Sequence, residues 1–215
     1  MLMSLLPTLL LGVVLGMRHA TDADHVVAVT TIVTRRRRIM DAIRIGALWG
    51  VGHTLTILLV GGAIIALHLV IPPRLGLAME FGVALMLIGL GAYNMLGGQQ
   101  PSTGAMAAAR PVIVGVVHGL AGSAAVALLV LATIPDPQWA VGYLLLFGIG
   151  TIVGMMAVTA SIAAPLSLTL ARFAHVHRSL QVASGTLSVG FGLFLAGHIA
   201  LTDGLFAAMP HWTAR

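Results

Sequence analysis

From about Leu5 to Val33 the chain runs apolar for longer than a bilayer requires, yet ionisable side chains stand in the middle of the run. They are Arg18, His19, Asp22, Asp24 and His25. An α-helix crosses the hydrocarbon core in ~20 residues, so the segment reads as a membrane helix. A charge at bilayer depth costs about 2.5–3.5 kcal/mol on insertion scales. A helix that only anchors a protein would not carry several, so the cluster must face protein, water or a ligand.

The rest of the chain agrees. It is 59% hydrophobic and 8% charged, with a mean hydropathy of +1.04, whereas a soluble domain carries about 25% charged residues. Long apolar runs, not short alternating strands, argue against an outer-membrane barrel. The fold class is therefore an all-α polytopic membrane protein. Six transmembrane helices are predicted near 5–33, 45–71, 76–97, 111–134, 139–164 and 180–203. Arg35 to Arg38, Pro72-Pro73, Gly97 to Pro101 and Pro135-Asp136-Pro137 mark the breaks, and Pro165 is expected to end the fifth helix. Leu166 to Arg178 reads as either a helix extension or an interfacial segment. The N-terminal run lacks a basic leader and continues through the cluster, so it reads as the first membrane helix, not a cleaved signal.

All eleven basic residues are arginine, and there is no cysteine. Disulfides, thiolate metal sites and thiol nucleophiles are excluded. The basic balance follows topology, not nucleic acid. Arg35, Arg36, Arg37, Arg38, Arg44, Arg110, Arg172 and Arg178 follow the first, third and fifth spans; Arg74 and Arg215 fall on the other side. The positive-inside rule makes the first set cytoplasmic and puts both termini outside. Trp139 and Trp212 then fall near outer boundaries. The expected location is the cytoplasmic (inner) membrane, with lipid as the surrounding partner.

The two halves resemble each other. Gly12 to Gly16 aligns with Gly115 to Gly119, Trp49 to Thr54 with Phe147 to Ile152, and Gly89 to Gly91 with Gly190 to Gly192, at offsets of 103, 98 and 101. Three helices per unit would make the second unit enter the membrane from the opposite side. The predicted organisation is two inverted three-helix repeats: 1–97 with the polar motif, a cytoplasmic linker at 98–110, and 111–215. Secondary transporters use this plan, with the substrate near the midplane between repeats.

On a regular helix, Asp22 falls about 60° to one side of His19 and His25 about 120°, while Asp24 falls about 140° to the other. The five groups cannot converge unless the helix is distorted or they divide into ligands and supports; Arg18 is placed to pair with Asp22 at i, i+4. Imidazole and carboxylate suit borderline divalent metals: nickel, cobalt, zinc, iron or manganese. One helix offers only part of a shell, and Gly52-His53-Thr54 is the obvious source of another ligand. The competing reading is an Arg18–Asp22 ion pair with hydrogen-bonded histidines as structural glue, which leaves Asp24 and His25 unexplained. For His53 a satisfied interhelical histidine is the alternative, and His118 and His198 read first as structural. His68 and His211 read as incidental, and His175 and His177 as a solvated face.

The element His19-x4-Asp24-His25, within Arg18 to His25, resembles the signature of the nickel/cobalt permease family. Gly52-His53-Thr54 is similar to that family's second Gly-His-Ser/Thr element, and Phe147 to Thr151 is similar in place to a third. Two departures stand out: Gly150 and Thr151 replace an acidic residue, and Thr30-Thr31 replaces a polar pair. The chain is closest in plan to the compact six-helix branch associated with urease accessory genes. The resemblance implies a secondary permease, not an enzyme, that takes up nickel or cobalt as its substrate and holds no permanent cofactor. It implies metal recognition by His19, Asp24 and His25, with Asp22 supporting and His53 contributing. Arg18, Thr54, His118 and Thr151 are expected to support the pathway. Metal-enzyme maturation proteins are the implied partners. No phosphate-binding loop is present in the sequence, so direct ATP drive would need another chain.

Three other readings remain, one of them a subunit of a larger metal importer. A carrier of another metal, an anion or an amino acid on a related fold is kept open by Arg18. An intramembrane serine protease would use Ser123 and His198, but Gly122-Ser123-Ala124 lacks the Gly-x-Ser-Gly form and leaves the first cluster without a role.

Overall fold

The computed structural model describes residues 2–34, 38–67, 71–97, 104–120, 133–134, 136–172 and 176–212. Among them are seven α-helices: α1 (Leu2–His19), α2 (Ala23–Val33), α3 (Ile39–Leu67), α4 (Pro73–Met95), α5 (Ala105–Leu120), α6 (Pro137–Arg172) and α7 (Val176–Leu201). Four stretches are long and apolar enough to cross a membrane: Ile39–Leu67, Pro73–Met95, Pro137–Ser167 and His177–Leu201. The chain is a multi-pass helical membrane protein.

The first predicted span is not one helix. It breaks over Ala20 to Asp22, inside the polar cluster. The last turn of α1 tightens, with Thr21 N donating to Arg18 O at 2.8 Å and Asp22 N to His19 O at 3.1 Å. Thr21 Oγ1 also donates to Arg18 O at 2.6 Å. Short polar side chains offer the backbone such local alternatives to helix. Asp22 then takes extended backbone (φ −61°, ψ 147°) as the N-cap of α2.

One further expectation is corrected. Pro165 does not end the fifth span, because α6 continues through it to Arg172; Ser167 Oγ donates to Ala164 O at 2.9 Å beside it. A membrane helix tolerates such a proline where side chains and neighbouring helices re-satisfy the freed groups. Helix α5 starts at Ala105 and carries Pro111 within it. Most of 121–134, the rest of the fourth predicted span, lies outside the described residues.

The helices pack in pairs: α1 on α6, α5 on α3, α3 on α6 and α4 on α7, with α2 against α7, α4 and α6. Glycines make the closest approaches. A Cβ on Gly16 would strike Phe147 O, one on Gly150 would strike Val13 O, one on Gly52 would strike Val112 O, and one on Gly115 would strike Trp49 O. Small residues allow this contact between membrane helices, where dispersion and interhelical hydrogen bonds replace the hydrophobic drive. One apolar cluster joins Val29, Ile32 and Val33 of α2 to Trp49, Val83, Leu87 and Met155. A second joins Ile57 to Tyr143, Leu144 and Phe147. Leu10, Val14, Leu59, Leu85, Ile113, Leu145 and Phe194 point outward, as lipid-facing side chains would.

The two ends of the bundle differ. At one, Asn94 Nδ2 donates to Ser184 Oγ at 2.9 Å and to Gln181 O at 3.2 Å, joining α4 to α7, and Thr31 Oγ1 donates to Ser184 O at 3.3 Å, joining α2. Arg178 donates to Met95 O at 2.9 Å, and the Arg110 guanidinium lies 4.7 Å from the Tyr93 ring centre. Gly97, at φ +75°, closes α4 here, in the left-handed region where glycine carries no Cβ penalty. At the other end the segment after α7 folds back over α4. Trp212 Nε1 donates to Glu80 Oε1 at 2.9 Å, and Arg74 donates to Ala207 O at 2.9 Å.

Candidate metal centre

Four helices bring five ionisable groups together around the break. His19 is the last residue of α1, Asp24 and His25 sit in the first turn of α2, His53 lies midway along α3, and His118 is near the end of α5. His25, His53 and His118 are fully buried. Two sets of side chains each place one donor atom per residue within 4.8 Å of the others: His19, His25 and His53; and Asp24, His25 and His118. His25 belongs to both.

The contacts within the group are specific. His19 Nε2 stands 2.9 Å from His53 Nε2, and His19 Nδ1 stands 2.8 Å from Asp22 Oδ2. Asp24 bridges two rings: Oδ1 is 3.1 Å from His25 Nδ1, and Oδ2 is 3.0 Å from His118 Nε2. Asp24 Oδ1 also accepts the His25 backbone N–H at 2.9 Å. His25 Nε2, His53 Nδ1 and His118 Nδ1 are buried with no hydrogen-bond partner among the described residues. An unpaired buried polar atom costs about 1–3 kcal/mol, so three in one place indicate a site built for something else.

The helix break solves the geometric difficulty of the sequence. On a regular helix Asp24 points away from His19. With Ala20 to Asp22 out of helix, the 100° spacing is interrupted and Asp24 reaches His118 of α5. The site therefore stands at the C-terminal end of one half-helix and the N-terminal end of another, with Asp24 in the positive first turn of α2.

Of the residues expected to hold metal, His19, Asp24, His25 and His53 come together with free or shared donor atoms. The Asp22 carboxylate contacts His19 and belongs to neither set. Arg18 is exposed, and Asp22 pairs with His19 instead of Arg18; the end of the helix separates the two before an i, i+4 contact can form. Thr54 Oγ1 donates to Gly148 O at 3.1 Å, clamping α3 to α6. Thr151 is buried but bonds back to Phe147 O at 3.0 Å within its own helix. His198 contacts Asp203 at 3.3 Å, away from the cluster. His177 contacts Gln181 and His211 is exposed. Ser123, His68 and His175 lie outside the described residues.

Two further residues, His118 and Trp49, lie at the group. His118 is fully buried and belongs to the second set, with Asp24 and His25. Its signal is present in the sequence: Gly115-x-x-His118 repeats Gly16-x-x-His19, one turn away from the register read from Gly12 to Gly16. Trp49 forms one wall, with its ring centre 6.2 Å from that of His25 in a stacked arrangement and 5.4 Å from that of His118, edge-on. Phe147 closes the opposite side, 5.6 Å from His19.

No family model matches the chain, and no solved structure does. A curated relative does: the urease accessory protein UreH of Bacillus sp. (strain TB-90) is 32% identical over 219 aligned positions, which cover 94% of this chain and 96% of the relative. At that identity, over nearly the whole of both chains, this protein belongs to the UreH urease accessory family.

Proposed function

We propose that the chain is a secondary carrier that takes divalent nickel or cobalt across the cytoplasmic membrane, with the ion held at the helix break. The observation that carries the reading is the convergence of His19, His25 and His53 from three helices, with Asp24 and His118 meeting the same His25, and donor atoms within 4.8 Å inside each set. Imidazole with one carboxylate suits borderline divalent metals over Mg²⁺ or Ca²⁺, which favour all-oxygen shells. The resemblance of the His-x4-Asp-His element to nickel/cobalt permeases narrows the choice. The relative's name, a urease accessory protein, fits a role in supplying a metal enzyme. Asp22 holds the His19 ring through Nδ1 and so orients the nitrogen that faces His53.

An inverted repeat is the architecture that we infer around this site. Reciprocal contacts support it. Gly16 meets Phe147 O and Thr151 N as Gly115 meets Trp49 O and His53 N; Gly50 meets Ile152 as Gly148 meets Thr54; Gly192 meets Ala84 as Gly91 meets Gly185. Shifts of 99, 98 and 101 positions turn each contact into its counterpart. The first of these replaces the offset of 103 read from the sequence. Such a scaffold lets one three-helix unit rock against the other around a central ion. The arginine-bearing end, with Arg110 and Arg178, is then cytoplasmic and the folded-back C-terminal segment is outside.

The test is uptake of Ni²⁺, Co²⁺, Zn²⁺ and Mn²⁺ by cells making the chain. Ni²⁺ or Co²⁺ should accumulate, and His25→Ala or Asp24→Asn should return uptake to background. Uptake that survives both substitutions, or that favours an anion or amino acid, would remove the reading.

A further inference from the structure

Five ligand-type side chains surround the break, but they do not form one donor set. His19 and His118 share no set, and the His53 and His118 ring centres are 6.5 Å apart. His25 is the shared member. Its Nδ1 lies 3.1 Å from Asp24 Oδ1, on the side of His118, while its Nε2 is buried and unpartnered. A neutral imidazole has a hydrogen on one nitrogen and a lone pair on the other. It serves one metal at a time, through whichever nitrogen lacks the hydrogen.

We propose that His118 is a metal ligand and that the ion has two stations which share His25. One is His19, His25 and His53, all nitrogen. The other is Asp24, His25 and His118, two nitrogens and a carboxylate. This rests on the carrier reading above and deepens it: the single ion passes from one set to the other. The packing gives His118 a reason to be there. It follows Gly115 as His19 follows Gly16, and these two glycines make equivalent contacts with α3 and α6. His118 is the second unit's counterpart of His19. Each unit thus brings one histidine to the group, and a carrier that rocks its units would exchange one for the other, with His25 common to both stations. The carboxylate of the second station makes it the harder of the two donor sets, so the stations differ in affinity and in spectrum.

The chain contains no cysteine, so a single introduced thiol can be read without background. The experiment uses the full chain in lipid nanodiscs with Co²⁺ as probe. Wild type should bind one ion per chain. His118→Cys should produce a near-ultraviolet thiolate-to-cobalt charge-transfer band. His118→Ala and His53→Ala should each still bind one ion, about tenfold or more weakly, the scale on which even supporting groups act. Their visible Co²⁺ spectra should differ, because one retains only the all-nitrogen set and the other only the mixed set. His118→Asp, which keeps a donor, should bind more tightly than His118→Ala and guards against loss of fold. If wild type binds Co²⁺ but the thiolate band is missing, or His118→Ala binds as wild type does, or the two alanine variants give one spectrum, the two-station assignment is wrong. If the band and both spectra appear but vesicles loaded with the chain take up no metal, the stations stand and the carrier reading falls.

Discussion

His19 Nε2 and His53 Nε2 face each other across α1 and α3 at 2.9 Å. Two neutral imidazoles can share one hydrogen at that distance, and a divalent ion can replace it. In the proposed carrier, this pair supplies two of the three nitrogens of the first set. His53→Ala should lower Ni²⁺ uptake by roughly tenfold or more and leave the detergent-solubilised chain folded, because α3 is fixed to α6 by Thr54 and Gly50. Equal uptake by wild type and variant in a dose–response series would count against His53 as a ligand.

Asp22 provides the finer test. It contacts His19 Nδ1 at 2.8 Å and belongs to neither donor set. Asp22→Asn keeps the shape and a weaker hydrogen bond, so metal affinity should fall by about 10–100-fold, as for groups that orient a ligand. Asp24→Asn should cost more, because it removes a carboxylate that meets two histidines. Calorimetric titration of both variants with Ni²⁺ ranks them. A larger loss for Asp22 would exchange their roles.

Much of this was legible in the chain, and the remainder has physical reasons. The apolar runs marked α3, α4, α6 and α7 because length and composition alone decide membrane crossing. The cluster named its own residues because charges in lipid are too costly to be idle. Its geometry was not readable, since helical angles assume a continuous helix and Ala20 to Asp22 leave it. Pro165 misled because proline rules come from helices in water, whereas α6 is supported by neighbours. Glycine spacing allows two registers for the second half, one turn apart, and the contacts of Gly16 with Phe147 O and of Gly115 with Trp49 O select the one that pairs His118 with His19.

Trp49 should report binding. Its ring lies against both His25 and His118, and Ni²⁺ and Co²⁺ quench nearby indoles. In a variant carrying Trp139→Phe and Trp212→Phe, Co²⁺ should quench the remaining fluorescence saturably, and His25→Ala should abolish the saturable part. Quenching that rises linearly with Co²⁺ in both proteins would mean that no ion sits beside Trp49.

The close approach of α1 to α6 sets a stability prediction. A Cβ at Gly150 would meet the Val13 carbonyl, and backbone there cannot swing aside as a side chain would. Gly150→Ala should destabilise the chain by about 1–3 kcal/mol, the usual cost of overpacking. Gly190 has open space around it, so Gly190→Ala should cost nothing and, by helix propensity, should gain up to about 1 kcal/mol. Thermal unfolding in one detergent compares the two. Equal midpoints would refute the glycine contact as a packing determinant.

Orientation can be read with thiols, because the natural chain has none. Met40 is exposed near the start of α3, on the arginine-bearing side, and Ala208 is exposed in the segment folded over α4. The positive-inside rule puts the first in the cytoplasm and the second outside. In intact cells a membrane-impermeant maleimide should label Ala208→Cys and spare Met40→Cys, and both should react once the cells are opened. The reverse pattern would invert the protein.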